Sequence, residues 1–130
     1  MKLTKQTDFA LRTLMYLARQ SEGERVFAQE IAKAYDIPLN HLTKIVNKLS
    51  RLGYINTYRG RNGGIELGKD QTDILIRQVV VDFEPSLNPA DCAHCSLREH
   101  CLLEGHLITA SEAFLASLGS KSLAEIIPSN

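Results

Sequence analysis

Asn40-His41-Leu42-Thr43-Lys44-Ile45-Val46-Asn47-Lys48-Leu49-Ser50-Arg51-Leu52-Gly53, followed directly by Tyr54-Ile55-Asn56-Thr57-Tyr58-Arg59-Gly60-Arg61-Asn62-Gly63-Gly64-Ile65-Glu66-Leu67, decides the fold of this chain. In the first half Leu42, Ile45, Val46, Leu49 and Leu52 recur at helical intervals, and Gly53 stands where a helix ends on a glycine. In the second half the period changes. Tyr54–Arg59 is a β-prone run, Gly60–Gly64 a turn, and Ile65–Leu67 a second short strand, so a hairpin with a basic tip follows the helix.

Upstream, Thr7 is the expected N-cap of a helix running to about Gln20, with Phe9, Leu11, Leu14, Met15, Leu17 and Ala18 as its apolar face. Gly23 interrupts the chain, Ala28, Ile31, Ala32 and Ala34 have the spacing of a short second helix, and Asp36-Ile37-Pro38 turns it into the third. The expected fold is mainly α with a small β-hairpin wing: a winged helix-turn-helix. In that arrangement the third helix enters a major groove while the wing reaches phosphates or a minor groove.

Charge supports this assignment. Residues 1–80 hold thirteen Lys/Arg against eight Asp/Glu, a net of +5, and residues 81–130 hold two against seven, a net of −5. The overall neutrality therefore conceals two opposed halves. Between Asn40 and Ile65 stand Lys44, Lys48, Arg51, Arg59 and Arg61 with no acid, which suits a polyanion. Asn40, His41, Thr43, Lys44, Asn47 and Lys48 on the helix, with Arg59, Arg61 and Asn62 on the hairpin, are the expected contacts to double-stranded DNA. A hairpin with Arg59 and Arg61 alone would read equally well as a solvated surface ribbon. The acid-free basic helix just before it makes both elements converge on one ligand.

Cys92, Cys95 and Cys101 are the only cysteines, all within ten residues. An odd, tightly grouped set points to metal binding or redox sensing rather than to a disulfide scaffold. Thiolates are the soft ligands of iron–sulfur clusters, of either the 4Fe-4S or the 2Fe-2S type. Cys-x2-Cys is also a zinc bite, and His100 or His106 could complete a Cys3His site, with His94 in the same stretch.

Beyond the cysteines, Leu102, Leu103, Leu107, Ala110, Ala113, Phe114 and Leu118 recur at helical spacing. Such a helix expects either packing within its own subunit or a twin in a homodimer, whose two-fold axis would match a pseudo-palindromic operator. Ser122 with Glu125 forms a capping-box pair. The expected organisation is residues 1–70 as the DNA-binding domain and residues 71–130 as a connecting helix, a cysteine loop over 86–101 and a dimerisation helix. The chain length suffices to bury roughly two-thirds of the unfolded surface. Met1-Lys2-Leu3 leads into polar residues, and no run approaches the roughly 18 apolar residues of a membrane span, so a cytoplasmic protein is expected. No glycine-rich nucleotide motif and no placeable Ser-His-Asp set argues for an enzyme; a small redox or metal-storage protein is the alternative from another class.

Met1-Lys2-Leu3-Thr4-Lys5-Gln6-Thr7-Asp8-Phe9-Ala10-Leu11-Arg12, Lys48-Leu49-Ser50-Arg51-Leu52-Gly53-Tyr54 and Arg59-Gly60-Arg61-Asn62-Gly63-Gly64-Ile65 resemble the Rrf2 family of bacterial winged-helix regulators over nearly the whole chain. With Ser122-Leu123-Ala124-Glu125, they look most like its nitric-oxide-sensitive repressor branch, NsrR, beside the iron-responsive RirA and the cluster-sensing IscR. The resemblance implies a homodimer with one iron–sulfur cluster per subunit, held by Cys92, Cys95 and Cys101, and a repressor that releases its operator when nitric oxide attacks the cluster. An iron- or redox-responsive regulator of the same family is the alternative. Two residues between Cys92 and Cys95 make a shorter loop than is usual in the family. By the resemblance Asp8 matches the position of a fourth ligand donated by the partner subunit; from the residues alone it reads first as a first-turn acid facing the positive end of the helix dipole.

Overall fold

Helix α1 (Lys5–Ala18) starts earlier than the sequence predicts, and Thr4 rather than Thr7 precedes it in the computed structural model, which describes residues 2–128. Met1, Ser129 and Asn130, the extremities of the two expected domains, lie outside the described residues. Thr7 is fully buried inside the helix, so its hydroxyl needs a partner within the protein. That partner is Glu84, the residue that ends a later helix. The same carboxylate accepts the Thr4 backbone N–H at 3.0 Å and the Thr4 hydroxyl at 2.8 Å. Thr7 is thus a clasp residue and not a cap.

The deeply buried line of α1 is Thr7, Ala10, Thr13, Leu14 and Leu17, while Phe9, Leu11, Met15 and Ala18 are only partly covered. Its small members let several elements approach. Helix α2 (Ala28–Tyr35) ends at Asp36, which adopts a left-handed conformation with φ of 53° and turns the chain into α3 (Leu39–Arg51). Helix α3 buries Leu42, Ile45, Val46 and Leu49. At its end the Tyr54 N–H returns to the Leu49 carbonyl at 3.0 Å, a closure that requires the positive φ of Gly53.

Strands β1 (Ile55–Tyr58) and β2 (Gly64–Leu67) pair antiparallel, with Ile55 opposite Leu67 and Tyr58 opposite Gly64. Val26 adds a bridge on the other side of β2: its N–H and carbonyl both bond to Ile65, at 3.0 and 2.7 Å. Gly64 makes that approach possible. Its φ is 127°, and a Cβ there would stand 3.1 Å from both the Arg25 Cβ and the Val26 carbonyl oxygen.

Helix α4 (Ile76–Phe83) lays Ile76, Val79, Val80 and Phe83 into the same core as α1 and α3. A loop with one 3-10 turn at Arg98–His100 leads to α5 (Leu103–Leu118), and α6 (Leu123–Ile126) closes the chain. The predicted capping box of Ser122 and Glu125 is present. Leu75 and Ser122 form a β-bridge, and Leu123, fully buried, bonds to the Ile74 carbonyl at 2.7 Å. Helix α5 has no fully buried residue. Its apolar stripe divides: Leu107, Phe114 and Leu118 are partly covered, whereas Leu103, Ala110 and Ala113 are exposed.

Burial alone would raise the Glu84 pKa, but hydrogen bonds from Thr7 and Thr4 outweigh it and hold the carboxyl below the usual glutamate range. A carboxyl depressed in the folded state contributes stability that is complete above its unfolded pKa and is lost as pH falls through the folded value. The urea midpoint of the native protein should therefore fall more steeply with acidification than that of Glu84→Gln, the two converging at low pH. Parallel curves would show that ionisation of Glu84 contributes nothing to stability.

Candidate functional site

Burial of one side of α3 dictates what the other side offers. With Leu42, Ile45, Val46 and Leu49 turned inward, Asn40, His41, Thr43, Lys44, Asn47 and Arg51 are all exposed. Thr43 spends its hydroxyl hydrogen on the Leu39 carbonyl, at 2.8 Å, and keeps its oxygen lone pairs and methyl group outward. Lys48, also among the expected contacts, is less open than these. It is half-buried, and its ammonium lies 4.6 Å from the centre of the Phe83 ring on α4. Arg51, which the sequence-based contact set omits, is the exposed cation at that end of the helix; its place one turn beyond Asn47 was available from helical spacing alone.

The wing carries Arg59, Arg61 and Asn62, all exposed, around a turn closed by the Gly63 N–H to the Gly60 carbonyl, at 3.0 Å. Arg25 braces this turn from the neighbouring segment. Its guanidinium carbon sits 3.5 Å from the centre of the Tyr58 ring, its Nη1 donates to the Asn62 carbonyl at 3.0 Å, and its Nε lies 3.9 Å from Glu66 Oε2. Sequence spacing gave no sign of this contact, because Arg25 and Asn62 are 37 residues apart.

Behind the wing, Tyr54 is buried and donates its hydroxyl to Asp82 Oδ2 at 2.5 Å. Burial first, then the hydrogen bond and charge of Asp82, push the phenol well above its ordinary range. Asp82 also accepts from Gln78 at 3.0 Å. The junction of α3 with β1 is thereby tied to the last turn of α4.

The three cysteines lie in the loop between α4 and α5, Cys92 and Cys101 half-buried and Cys95 exposed, none in a disulfide. Backbone turns shape the loop: the Cys95 N–H reaches the Cys92 carbonyl and the Arg98 N–H the Cys95 carbonyl, both at 3.3 Å. Desolvation first, then the charges of Glu104, Cys95 and Cys101, raise the Cys92 thiol, with Arg98 opposing. A raised thiol is the reverse of what thiol exchange uses, and a metal binding there must displace its proton. Arg98 lies 3.8 Å from Glu104 in the first turn of α5. His94, His100 and His106 are exposed. Asp8 holds Arg12 at 2.9 Å on the surface of α1.

Among the described residues no three His, Cys, Asp or Glu side chains are arranged as a finished metal site. The donor chemistry nonetheless fits a soft metal or an iron–sulfur cluster: three thiols, none in a disulfide, on one turn-rich loop. A concavity of about 640 Å³ between the Ser21–Glu24 turn and the segment Glu66–Gln71 is open and takes in none of the predicted site residues. Among the described residues no helix is long and apolar enough to cross a membrane.

Comparison with known proteins agrees with this geometry. The chain is similar to the solved structure of CymR (YrzC), the global cysteine regulator of B. subtilis, at 20% identity and a TM-score of 0.75, covering 97% of this chain and 95% of that one. It is similar to the oxidised form of Staphylococcus aureus CymR at 18% identity and a TM-score of 0.78, covering 100% and 98%, and to T. potens IscR at 18% and 0.78, covering 97% and 85%. At such identities these likenesses establish the winged-helix fold alone. Residues 3–129 match the family model of Rrf2, described as an iron-dependent transcriptional regulator, a match that does not single out the nitric-oxide-sensitive branch. The chain belongs to the Rrf2 family of transcriptional regulators.

Proposed function

We propose that this chain is a DNA-binding repressor that works as a homodimer and reads its signal through an iron–sulfur cluster held by Cys92, Cys95 and Cys101. The observation that carries this reading is the exposed surface of α3 and the wing tip, within a stretch from Asn40 to Ile65 that holds no acid, in a chain of this family. Residues 1–70 serve as the DNA-reading unit and residues 71–130 as the sensing and pairing unit, in the cytoplasm. Asn40, His41, Thr43, Lys44 and Asn47 address base edges and phosphates of a pseudo-palindromic operator, and Arg59, Arg61 and Asn62 the flanking backbone or minor groove. The exposed edge of α5, with Leu103 at 57% and Ile108 at 41% exposure, is what a twin helix would cover.

The cluster, when bound, supplies iron that a small reactive molecule can attack, and the signal assigned here is nitric oxide. The partner subunit's Asp8 is the proposed fourth ligand. The chain's own residues offer the coupling: the cysteine loop begins immediately after Glu84, which grips Thr4 and Thr7 at the start of α1, and Asp82 two residues earlier grips Tyr54 beside α3. A ligand shifts such a balance only by its differential affinity for two states. A roughly hundredfold change in operator affinity corresponds to about 2.7 kcal/mol.

Arg59→Ala and Arg61→Ala should each weaken binding to duplex DNA and reduce the slope of log affinity against log salt by about one; unchanged slopes would remove the wing from the interface. Lys44→Ala should weaken binding more than Lys48→Ala, because the Lys48 ammonium is already engaged on Phe83. Protein purified without oxygen should contain iron and acid-labile sulfide and show a visible absorption band that nitric oxide bleaches. Cys92→Ala and Cys101→Ala should lose that band and the response. Zinc without sulfide would make the loop a structural clip, and a Cys101→Ala protein that still answered nitric oxide would end the sensing proposal.

A further inference from the structure

The wing tip is a small turn with two exposed arginines, and little in its own composition fixes its course. Between Tyr58 and Gly64 the chain has two glycines, Gly60 and Gly63, and Arg59, Gly60, Arg61 and Asn62 all face solvent. A tip left to itself would lose conformational freedom on meeting DNA, and that lost entropy would weaken binding. Arg25 touches three separate parts of this hairpin: the Tyr58 ring at the end of β1, the Asn62 carbonyl within the turn, and Glu66 on β2. Its backbone is held as well, since the adjoining Val26 is bridged to Ile65. A planar guanidinium can stack on a ring and donate in its own plane at the same time, which a lysine ammonium cannot reproduce.

We infer that Arg25 is a positioning residue of the DNA interface: it holds the wing tip in one course so that Arg59, Arg61 and Asn62 are pre-ordered for the duplex. The inference rests on the proposed DNA-binding function and adds to it a residue outside α3 and the wing. Arg25 acts through the tip and not as a phosphate contact, because its guanidinium stacks on Tyr58, donates to Asn62 and has Glu66 beside it. Its side chain is 35% exposed, so truncation leaves the core of α1, α3 and α4 in place.

Two measurements separate this from its alternatives. In the free protein, trypsin should cut after Arg59 and Arg61 faster in Arg25→Ala than in the native chain, with the thermal unfolding midpoint little changed, and Arg25→Lys should protect only partly. Equal cleavage rates would overturn the inference whether or not the protein binds DNA. On a mixed-sequence duplex, Arg25→Ala should bind roughly tenfold more weakly, about 1.4 kcal/mol, with the native salt slope. Arg59→Ala placed in the Arg25→Ala background should cost less than it does alone. A slope reduced by about one would make Arg25 a direct phosphate contact, and additive losses would show that it does not act through the tip; either result overturns the inference. Faster cleavage in Arg25→Ala together with no duplex binding by the native protein would leave the brace standing and defeat the DNA-binding function instead.

Discussion

The buried hydroxyl of Thr7 is paired inside the protein, donating to Glu84 with the Thr4 hydroxyl 3.3 Å away, and much of the architecture depends on that constraint. Helix α1 is packed against α2, α3, α4, α6 and β2, so a polar group on its inner side cannot be satisfied by water. Leaving such a hydroxyl unpaired costs roughly 1–3 kcal/mol. The solution draws the end of α4 onto the start of α1, and a single carboxylate also receives the Thr4 N–H and hydroxyl. Among the described residues no buried side-chain nitrogen or oxygen lacks a partner. Polar satisfaction and hydrophobic packing thus select the same arrangement.

That arrangement sets the relation between the two ends of the molecule. Helix α4 shares the core of α1 and α3 through Val79, Val80 and Phe83, and its last turn holds Tyr54 through Asp82 and meets Lys48 through Phe83. The chain then leaves the core at Glu84 and enters the cysteine loop. The residues that lead into that loop, Asp82 and Glu84, are bonded to Tyr54 at the end of α3 and to Thr4 at the start of α1. The start of the cysteine loop is tied to α5, where the Ser111 hydroxyl donates to the Leu87 carbonyl, and further along its shape rests on backbone turns and on the surface pair of Arg98 and Glu104.

The sequence by itself determined the elements whose signals are local. Helix α3 was legible because Leu42, Ile45, Val46 and Leu49 keep helical spacing for about two turns and Gly53 stops it; the wing was legible because the period changes from helical to β-prone at Tyr54; the box of Ser122 and Glu125 needs only three residues of separation. The concentration of cations on α3 and the wing, and the grouping of the three cysteines, are likewise properties of order along the chain. Tertiary structure decided whatever depends on partners far apart in sequence. Thr7 looks like a helix cap until Glu84 claims its hydroxyl across 77 positions. Lys48 looks like its neighbours on the basic helix until Phe83 is placed beneath its ammonium, and Arg25 carries no sign of its grip on the wing until Val26 pairs with Ile65. Helical periodicity and turn chemistry act over a few residues and are written in composition; hydrogen bonds, cation–ring contacts and the division of α5 between covered and exposed edges depend on which surfaces the packed core brings together.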